Sequence, residues 1–360
     1  MLLAGDAAPV HSGGDRAVKS TFVGWEKPSR AERIGELGET PVQPCCVLCG
    51  SGQVETIDVV SFQDLRRLWF EVAQIDILTC LVRPYEEPGV PLRRCLTCGL
   101  EFYPASLCGT GRLYEHLGKF EYYYQPDKWE FRVALEDLAA AGRVLEVGCG
   151  TGGFLERIVC SRPGTQVVGL ELNPEALAAS SARGLTVHAQ SIAEFACEHG
   201  GEFDAVCALQ VLEHVPDPDA FLQAGFRCLR SGGLWILGVP NGQGFPRYAV
   251  NDFGNLPPHH LTRWSPEVFR RVAGRYRATA ERILLEPVAE YHRAWYRDIL
   301  TVRLVSALLG LRWNRVEVGT RYRLVLGACR RLQRCIPGRV WCYTRHPGHT
   351  MYVALRKLGP

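Results

Sequence analysis

Residues 143–154, Arg-Val-Leu-Glu-Val-Gly-Cys-Gly-Thr-Gly-Gly-Phe, set an acid against a run of glycines. Glu146 sits within a short β-type run (Val144, Leu145, Val147), and glycines follow at 148, 150, 152 and 153. Glycine lets the chain turn sharply and lets a ligand touch backbone, because no Cβ intervenes. A second acid, Glu171, closes the next apolar run, Gln166–Leu170. Gly148, Gly150 and Gly153 also satisfy a dinucleotide fingerprint with Glu171 as the ribose acid. Glu146 argues against that ligand. A carboxylate just ahead of the glycines repels a pyrophosphate and suits a molecule carrying an ammonium group.

S-adenosylmethionine has that amino group, a sulfonium, a ribose and no phosphate. Two other constellations could do chemistry. Cys46-x-x-Cys49-Gly50 and Cys95-x-x-Cys98-Gly99 offer four thiolates, the donor set of tetrahedral zinc. Such a site is structural, because four sulfurs leave no open position. Cys45 could replace Cys46, and buried free cysteines are the plainer alternative. Histidines follow two apolar runs, His214 after Phe203–Leu209 and His259-His260 in a proline-stiffened loop after Leu234–Val239. A hydroxyl acceptor needs its proton removed, a task for such side chains. His259 and His260 are the candidate bases, and His214 orders the loop or borders the cofactor.

The elements that must position these groups alternate in a βαβ rhythm. Strands are expected at 143–147, Gln166–Leu170, Thr186–His188, Phe203–Leu209 and Leu234–Val239. Asn173-Pro174 and Ser265-Pro266 read as helix starts. Another helix is expected from Asp219 to Leu229, followed by the turn Ser231-Gly232-Gly233. Arg277–Leu285 and His349–Leu355 could form a terminal antiparallel hairpin.

In Val144–Gly152, Glu171, Leu209–Val215 and Ser231-Gly232-Gly233, the chain resembles class I S-adenosylmethionine-dependent methyltransferases over about residues 120–290. The resemblance implies an α/β, Rossmann-like seven-stranded sheet in a three-layer αβα arrangement. It implies that Glu146 and the backbone of Gly148, Cys149, Gly150 and Gly152 hold the methionine end, with Phe154 beside them. Glu171 would take the ribose hydroxyls. Leu172 and Ile192 would sandwich the adenine, with Gln190 or Ser191 at its amino edge. Gln210 and Val211 would lie under the sulfonium. Ordinary core packing is the alternative for Leu172, Ile192 and Val211. The region 45–130 looks like the zinc-ribbon part of methyltransferases that act on sugars and small metabolites. Tyr122-Tyr123-Tyr124 could close over the cofactor, Tyr124 in particular, or pack between domains. Asp127 and Glu130 fit a capping box.

At 360 residues, 47% hydrophobic and with a net charge of +3, the chain reads as soluble and globular without a nucleic-acid footprint. Its fifteen cysteines, several in apolar elements, and the lack of a signal-peptide pattern point to a reducing cytoplasm. The expected layout is a mobile segment at 1–42, the zinc-ribbon-like module with a helical insertion at 43–120, the methyltransferase core at 121–292, a basic amphipathic helical insertion at 293–345 and the last strand at 346–360. Twelve arginines and two acids, Asp298 and Glu317, lie between 293 and 345. Such helices can dock on the protein's own core or a second subunit, or lie on an anionic membrane as a peripheral contact. The expected activity is methylation of a small molecule or saccharide, at oxygen or carbon. The competing readings are an RNA methyltransferase using the zinc module, a nicotinamide oxidoreductase and a non-catalytic zinc scaffold. Gln210-Val211-Leu212-Glu213 differs from the Asn/Asp-Pro-Pro-aromatic pattern of base-nitrogen enzymes and tells against the first.

Overall fold

Near-continuous apolar runs are the mark of strands buried on both faces. A computed structural model, which describes residues 44–120, 123, 127–336, 341–343 and 346–359, places these runs in one seven-stranded sheet. Residues 1–42, Tyr122 and Tyr124 lie outside the described residues.

The chain begins with β1 (Val54–Ser61), α1 (Phe62–Ala73), β2 (Gly89–Cys95), β3 (Glu101–Phe102), α2 (Gly111–Leu117) and α3 (Trp129–Asp137). Then come β4 (Arg143–Val147), α4 (Gly153–Ser161), β5 (Gln166–Leu170), α5 (Pro174–Ala182), β6 (Val187–His188), α6 (Ile192–Glu198) and β7 (Phe203–Leu209). The remainder is α7 (Pro218–Cys228), β8 (Leu229–Pro240), β9 (Thr262–Arg263), α8 (Pro266–Arg275), β10 (Ala278–Leu285), α9 (Arg293–Leu308), α10 (Thr320–Gln333) and β11 (Thr350–Lys357). The large sheet runs β10-β11-β8-β7-β4-β5-β6. Strands β4 to β8 are mutually parallel, and β11 is antiparallel to both β8 and β10.

Period-two alternation assigns the faces. Trp235, Leu237 and Val239 of β8 pack with Phe195 of α6, Leu222 of α7 and Phe269 of α8. Leu234 and Ile236 of the same strand pack with Phe131 of α3 and Phe154 of α4. Each such side chain contributes about 1.5–3 kcal/mol on burial. Proline and asparagine start α5 as expected: Asn173 Oδ1 accepts from the Glu175 and Ala176 amides. Ser265 caps α8 in the same way.

The small sheet, β1-β2-β3-β9, takes its fourth strand from residues 262–263, downstream of most of the large sheet. Pro44–Pro360 is thus one compact unit. Helix α1 buries Leu65, Leu68 and Trp69, whereas Val72 faces solvent. Helices α9 and α10 lie between the two hairpin strands, where the basic segment places them.

Three local expectations are corrected. Lys128, not Asp127, is the N-cap of α3, with no side-chain cap bond. Asp127 instead pairs with Arg157 at 3.2 Å, and Glu130 turns inward. The turn at Ser231-Gly232-Gly233 lies within β8, where Gly232 (φ +75°) bends a strand that already begins at Leu229. Helix α7 starts one residue earlier than expected, because Asp217 accepts from the Ala220 amide.

Candidate active site

The glycine loop leaves β4 with Gly148, Gly150 and Gly152 all at positive φ (69°, 54° and 82°). A Cβ on Gly148 would stand 2.6 Å from Val211 Cγ2, so only glycine fits beneath that side chain. The Gly148 and Cys149 amides donate to Leu170 O at 2.8 and 3.1 Å, tying the loop to β5. Glu171, at the end of β5, accepts from the Gly150 amide through Oε2 and from the Asn173 amide through Oε1, both at 2.7 Å.

Glu146 is 3% exposed and its Oε2 has no hydrogen-bond partner. Burial drives its pKa well up; the Lys128 charge opposes this, and Glu171 adds to it. Burial also raises Glu171, against the amides that it accepts from. Two carboxyl groups from adjacent strands therefore flank bare backbone, one of them with a buried oxygen that has no hydrogen-bond partner. Two acids beside bare backbone fit S-adenosylmethionine, which carries an ammonium group and a ribose diol and no phosphate.

The run after β7 builds the opposite wall. Gln210 adopts φ +63°, sends its amide to Gly238 O at 2.7 Å and donates through Nε2 to Glu130 Oε1 at 3.1 Å. Glu130, 3% exposed, is thus a buried acid of this wall that the sequence disguised as a cap. Glu213 is fully buried, and neither carboxyl oxygen has a hydrogen-bond partner. Its Oε1 lies 3.8 Å from His214 Nε2 and 3.9 Å from His260 Nε2.

Each of the three imidazoles has Nδ1 beside an oxygen acceptor: His214 to His259 O (2.7 Å), His259 to Gly254 O (2.8 Å) and His260 to Asn255 Oδ1 (2.9 Å). A carbonyl oxygen only accepts, so each Nδ1 carries the proton and each Nε2 keeps its lone pair. The Tyr123 hydroxyl lies 3.5 Å from His259 Nε2. Burial pushes Glu213 up to about 8 and His214 down to about 4. His259 and His260 are driven well below the usual imidazole range by burial and by their neighbouring rings. The carboxyl and imidazoles therefore meet as neutral groups near pH 7. Where Glu213 is ionised, as pH rises through about 8, its charge would stabilise a proton arriving on His260.

Sulfur forms the third cluster. Cys46 and Cys98 Sγ lie 3.5 Å apart, as do Cys49 and Cys95 Sγ, and all four sulfurs fall within 4.8 Å of one another. Glycines at positive φ (Gly50 74°, Gly99 82°) close both knuckles. The amides of Leu48 and Cys98 point at the Cys46 and Cys95 sulfurs. Cys45 is exposed and stands outside the cluster. Four thiols at tetrahedral spacing ionise together only around a cation, and the set fits zinc. One ring nitrogen from each of His214, His259 and His260 also lies within 4.8 Å of the others, the second group of metal-ligand spacing found among the described residues.

The remaining candidates scatter. Phe154 packs on Phe131 in the core (centroids 4.9 Å apart), and Ile192 is buried among core residues. Leu172 is exposed, and Gln190 is half-buried beyond β6. Ser191 caps α6 in a reciprocal box with Glu194. Sequence reasoning missed a cleft beyond β8 lined by Asn241, Arg247, Asp252, His260, Arg263, Arg315 and His349. Its members come from five separate segments, and only the histidine pair marked it.

Residues 108–278 match the family model described as a methyltransferase domain. The chain is 40% identical over 122 residues to a ubiquinone biosynthesis O-methyltransferase of Xanthomonas oryzae, covering 32% of this chain and 50% of that protein. Its counterpart in Psychrobacter arcticus is 37% identical over 110 residues, 28% of this chain and 42% of that one. The chain thus spans about half the length of these curated relatives or less. An Archaeoglobus fulgidus S-adenosylmethionine-dependent methyltransferase overlaps 63% of this chain and 94% of its own at 16% identity, with a TM-score of only 0.40. The sheet order stands without it. By its sheet, its glycine loop and the family match, residues 108–278 are a methyltransferase domain of the class I, S-adenosylmethionine-dependent family.

Proposed function

We propose that the protein transfers a methyl group from S-adenosylmethionine to a hydroxyl of a small molecule or saccharide. The observation that carries this reading is the orphaned, buried Glu146 carboxyl at the glycine loop, with a cluster of imidazole lone pairs after the neighbouring strand. The relatives are named O-methyltransferases, which supports oxygen as the acceptor atom.

In this reading Glu146 and the backbone from Gly148 to Gly152 bind the methionine end, and Glu171 binds the ribose diol. Leu172, Gln190, Ser191 and Ile192 surround the adenine, and Gln210 and Val211 underlie the sulfonium. The donor supplies an electrophilic methyl on sulfur. The protein's part is alignment and exclusion of water. His260, assisted by His259, accepts the hydroxyl proton on Nε2, and Glu213, already ionised in the active form, stabilises the imidazolium. His214 fixes the loop through its bond to His259 O. Cys46, Cys49, Cys95 and Cys98 hold a structural zinc that orders the knuckles beside α8.

The setting is cytoplasmic in this proposal. Leu304, Leu308, Leu309 and Leu324 stand exposed among the arginines of α9 and α10, which supports a peripheral contact with anionic lipid. Radiolabelled methyl donor tests the main reading against panels of phenols, sugars and RNA. Label should pass to a small hydroxyl compound; transfer to RNA alone would contradict it.

A further inference from the structure

The cleft beyond β8 is built for charge. Arg247, Arg263 and Arg315 line it against one carboxyl, Asp252, which is held by the Asn255 amide at 2.6 Å. His260 lines it too, so its contents sit beside the proposed base. The other histidine there, His349, is held neutral by burial, its pKa down at about 4.

Arg263 donates hydrogen bonds only to neutral groups, Tyr103 Oη at 3.4 Å and Asn255 O at 3.3 Å, lies over the Tyr103 ring, and meets the Asp252 carboxyl only through longer-range attraction. Arg315 pairs with Asp58 of β1 through Nε (2.7 Å). Burial and the like charge of Arg263 both work against its ionised form. Three arginines facing a single lining carboxyl in a half-buried cleft call for an anion. A second observation points the same way. Asn241 is 3% exposed, its Oδ1 accepts from the Gln243 amide at 3.0 Å, and its Nδ2 has no partner. That leaves a buried donor in the wall of the same cleft.

Arg315 is held there by design of the chain. The link between α9 and α10 is pinned to the 251–255 loop: Asn251 N donates to Arg315 O (2.8 Å), Asn251 Nδ2 to Glu317 O (2.9 Å) and Glu317 N to Asn251 Oδ1 (2.7 Å). Val316 is buried beside Leu256 and Leu261. The basic insertion thus contributes a wall of the cleft.

We infer that this cleft is an anion subsite: Arg263, Arg315 and Asn241 Nδ2 grip a carboxylate or phosphate carried by the methyl acceptor and so turn its hydroxyl toward His260. Arg247 attracts the anion at the rim. The inference rests on the methyltransferase reading for the word acceptor, but the anion site stands on its own geometry.

Calorimetry on the full chain saturated with S-adenosylhomocysteine tests it, with inorganic phosphate and 4-hydroxybenzoate as separate probes. One of the two should bind, and the better probe names the anion. Arg263→Gln and Arg315→Gln should each weaken that probe about tenfold or more, as loss of a charge-assisted bond does. S-adenosylhomocysteine affinity should be unchanged in both variants, which also reports their folding. If neither probe binds the wild type, or if both variants bind the probe as tightly as wild type does, the inference falls. Failure of S-adenosylhomocysteine to bind while the probe still binds through Arg263 would overturn the donor reading and leave the anion site standing.

Discussion

Glu146→Gln should make the ligand-free protein more stable and the donor-bound protein weaker. The carboxyl is buried with one oxygen unpaired, and burial raises its pKa well above 4.5. Folding therefore binds the Glu146 proton more tightly than the unfolded chain does. The sign follows from linkage: as pH climbs above about 4.5, the unfolded state gains the free energy of ionisation first, and the wild type loses stability until the folded pKa is reached. Each unit of raising costs about 1.4 kcal/mol above that window. The amide cannot ionise and does not repel Glu171. The amide leaves a polar atom in the same unpartnered place, so the gain is the ionisation penalty alone: at about 1.4 kcal/mol per unit, the variant should gain at least about 2–4 °C in Tm at pH 8. The gain should shrink toward zero near pH 4. Glu171, Glu213 and Glu286 are raised as well, but they are common to both proteins and cancel in the difference. Donor affinity should fall about 10- to 150-fold, as expected for a hydrogen bond to a charged group. Scanning fluorimetry across pH and calorimetry with S-adenosylhomocysteine read the two effects. A variant that is less stable at pH 8, or that binds the nucleoside as tightly as wild type, would refute the reasoning.

Four other outcomes follow from the same geometry. Gly148→Ala forces a Cβ at φ +69° against Val211, so Tm should fall by the equivalent of at least about 1–2 kcal/mol, and donor binding should weaken in calorimetry. The pH profile of kcat/KM should rise through about 8 as Glu213 ionises and strengthens the imidazole beside it; Glu213→Gln should flatten that limb, and His260→Ala should cut kcat about 10²- to 10⁴-fold with donor affinity intact. Metal analysis should give about one zinc per chain, lost in Cys46→Ser and kept in Cys45→Ser, with chelation lowering Tm. In flotation with anionic vesicles, Leu304→Ser/Leu308→Ser should recover less protein than wild type, since both leucines are exposed on α9.

The parallel core was legible because its strands carry near-continuous apolar runs and its turns carry glycine or proline at positions with a physical need for them. Gly148 is such a position, and so is Pro174 behind Asn173. The four thiols were legible from spacing alone, and the exposure of Cys45 decides between it and Cys46. Local chemistry failed where tertiary contacts outbid it. Glu130 satisfies a capping pattern, yet its side chain turns inward to Gln210, while Asp127 leaves the cap for Arg157. The two-residue strand β9 carries no periodicity to read, and it joins the small sheet only because β3 is there to receive it. The arginine cleft was invisible for a similar reason: Arg263 and Arg315 are far apart in sequence and meet only when Asn251 fastens the insertion to its loop. A helical pattern shows which face is apolar and not which loop residue it delivers.

A crystal of the full chain soaked with S-adenosylhomocysteine probes the donor site most directly. The nucleoside should lie along Gly148–Gly152, its amino group on Glu146 and its ribose hydroxyls on Glu171. Density for the compound elsewhere, or a loop at Gly150 left vacant under saturating ligand, would contradict the account.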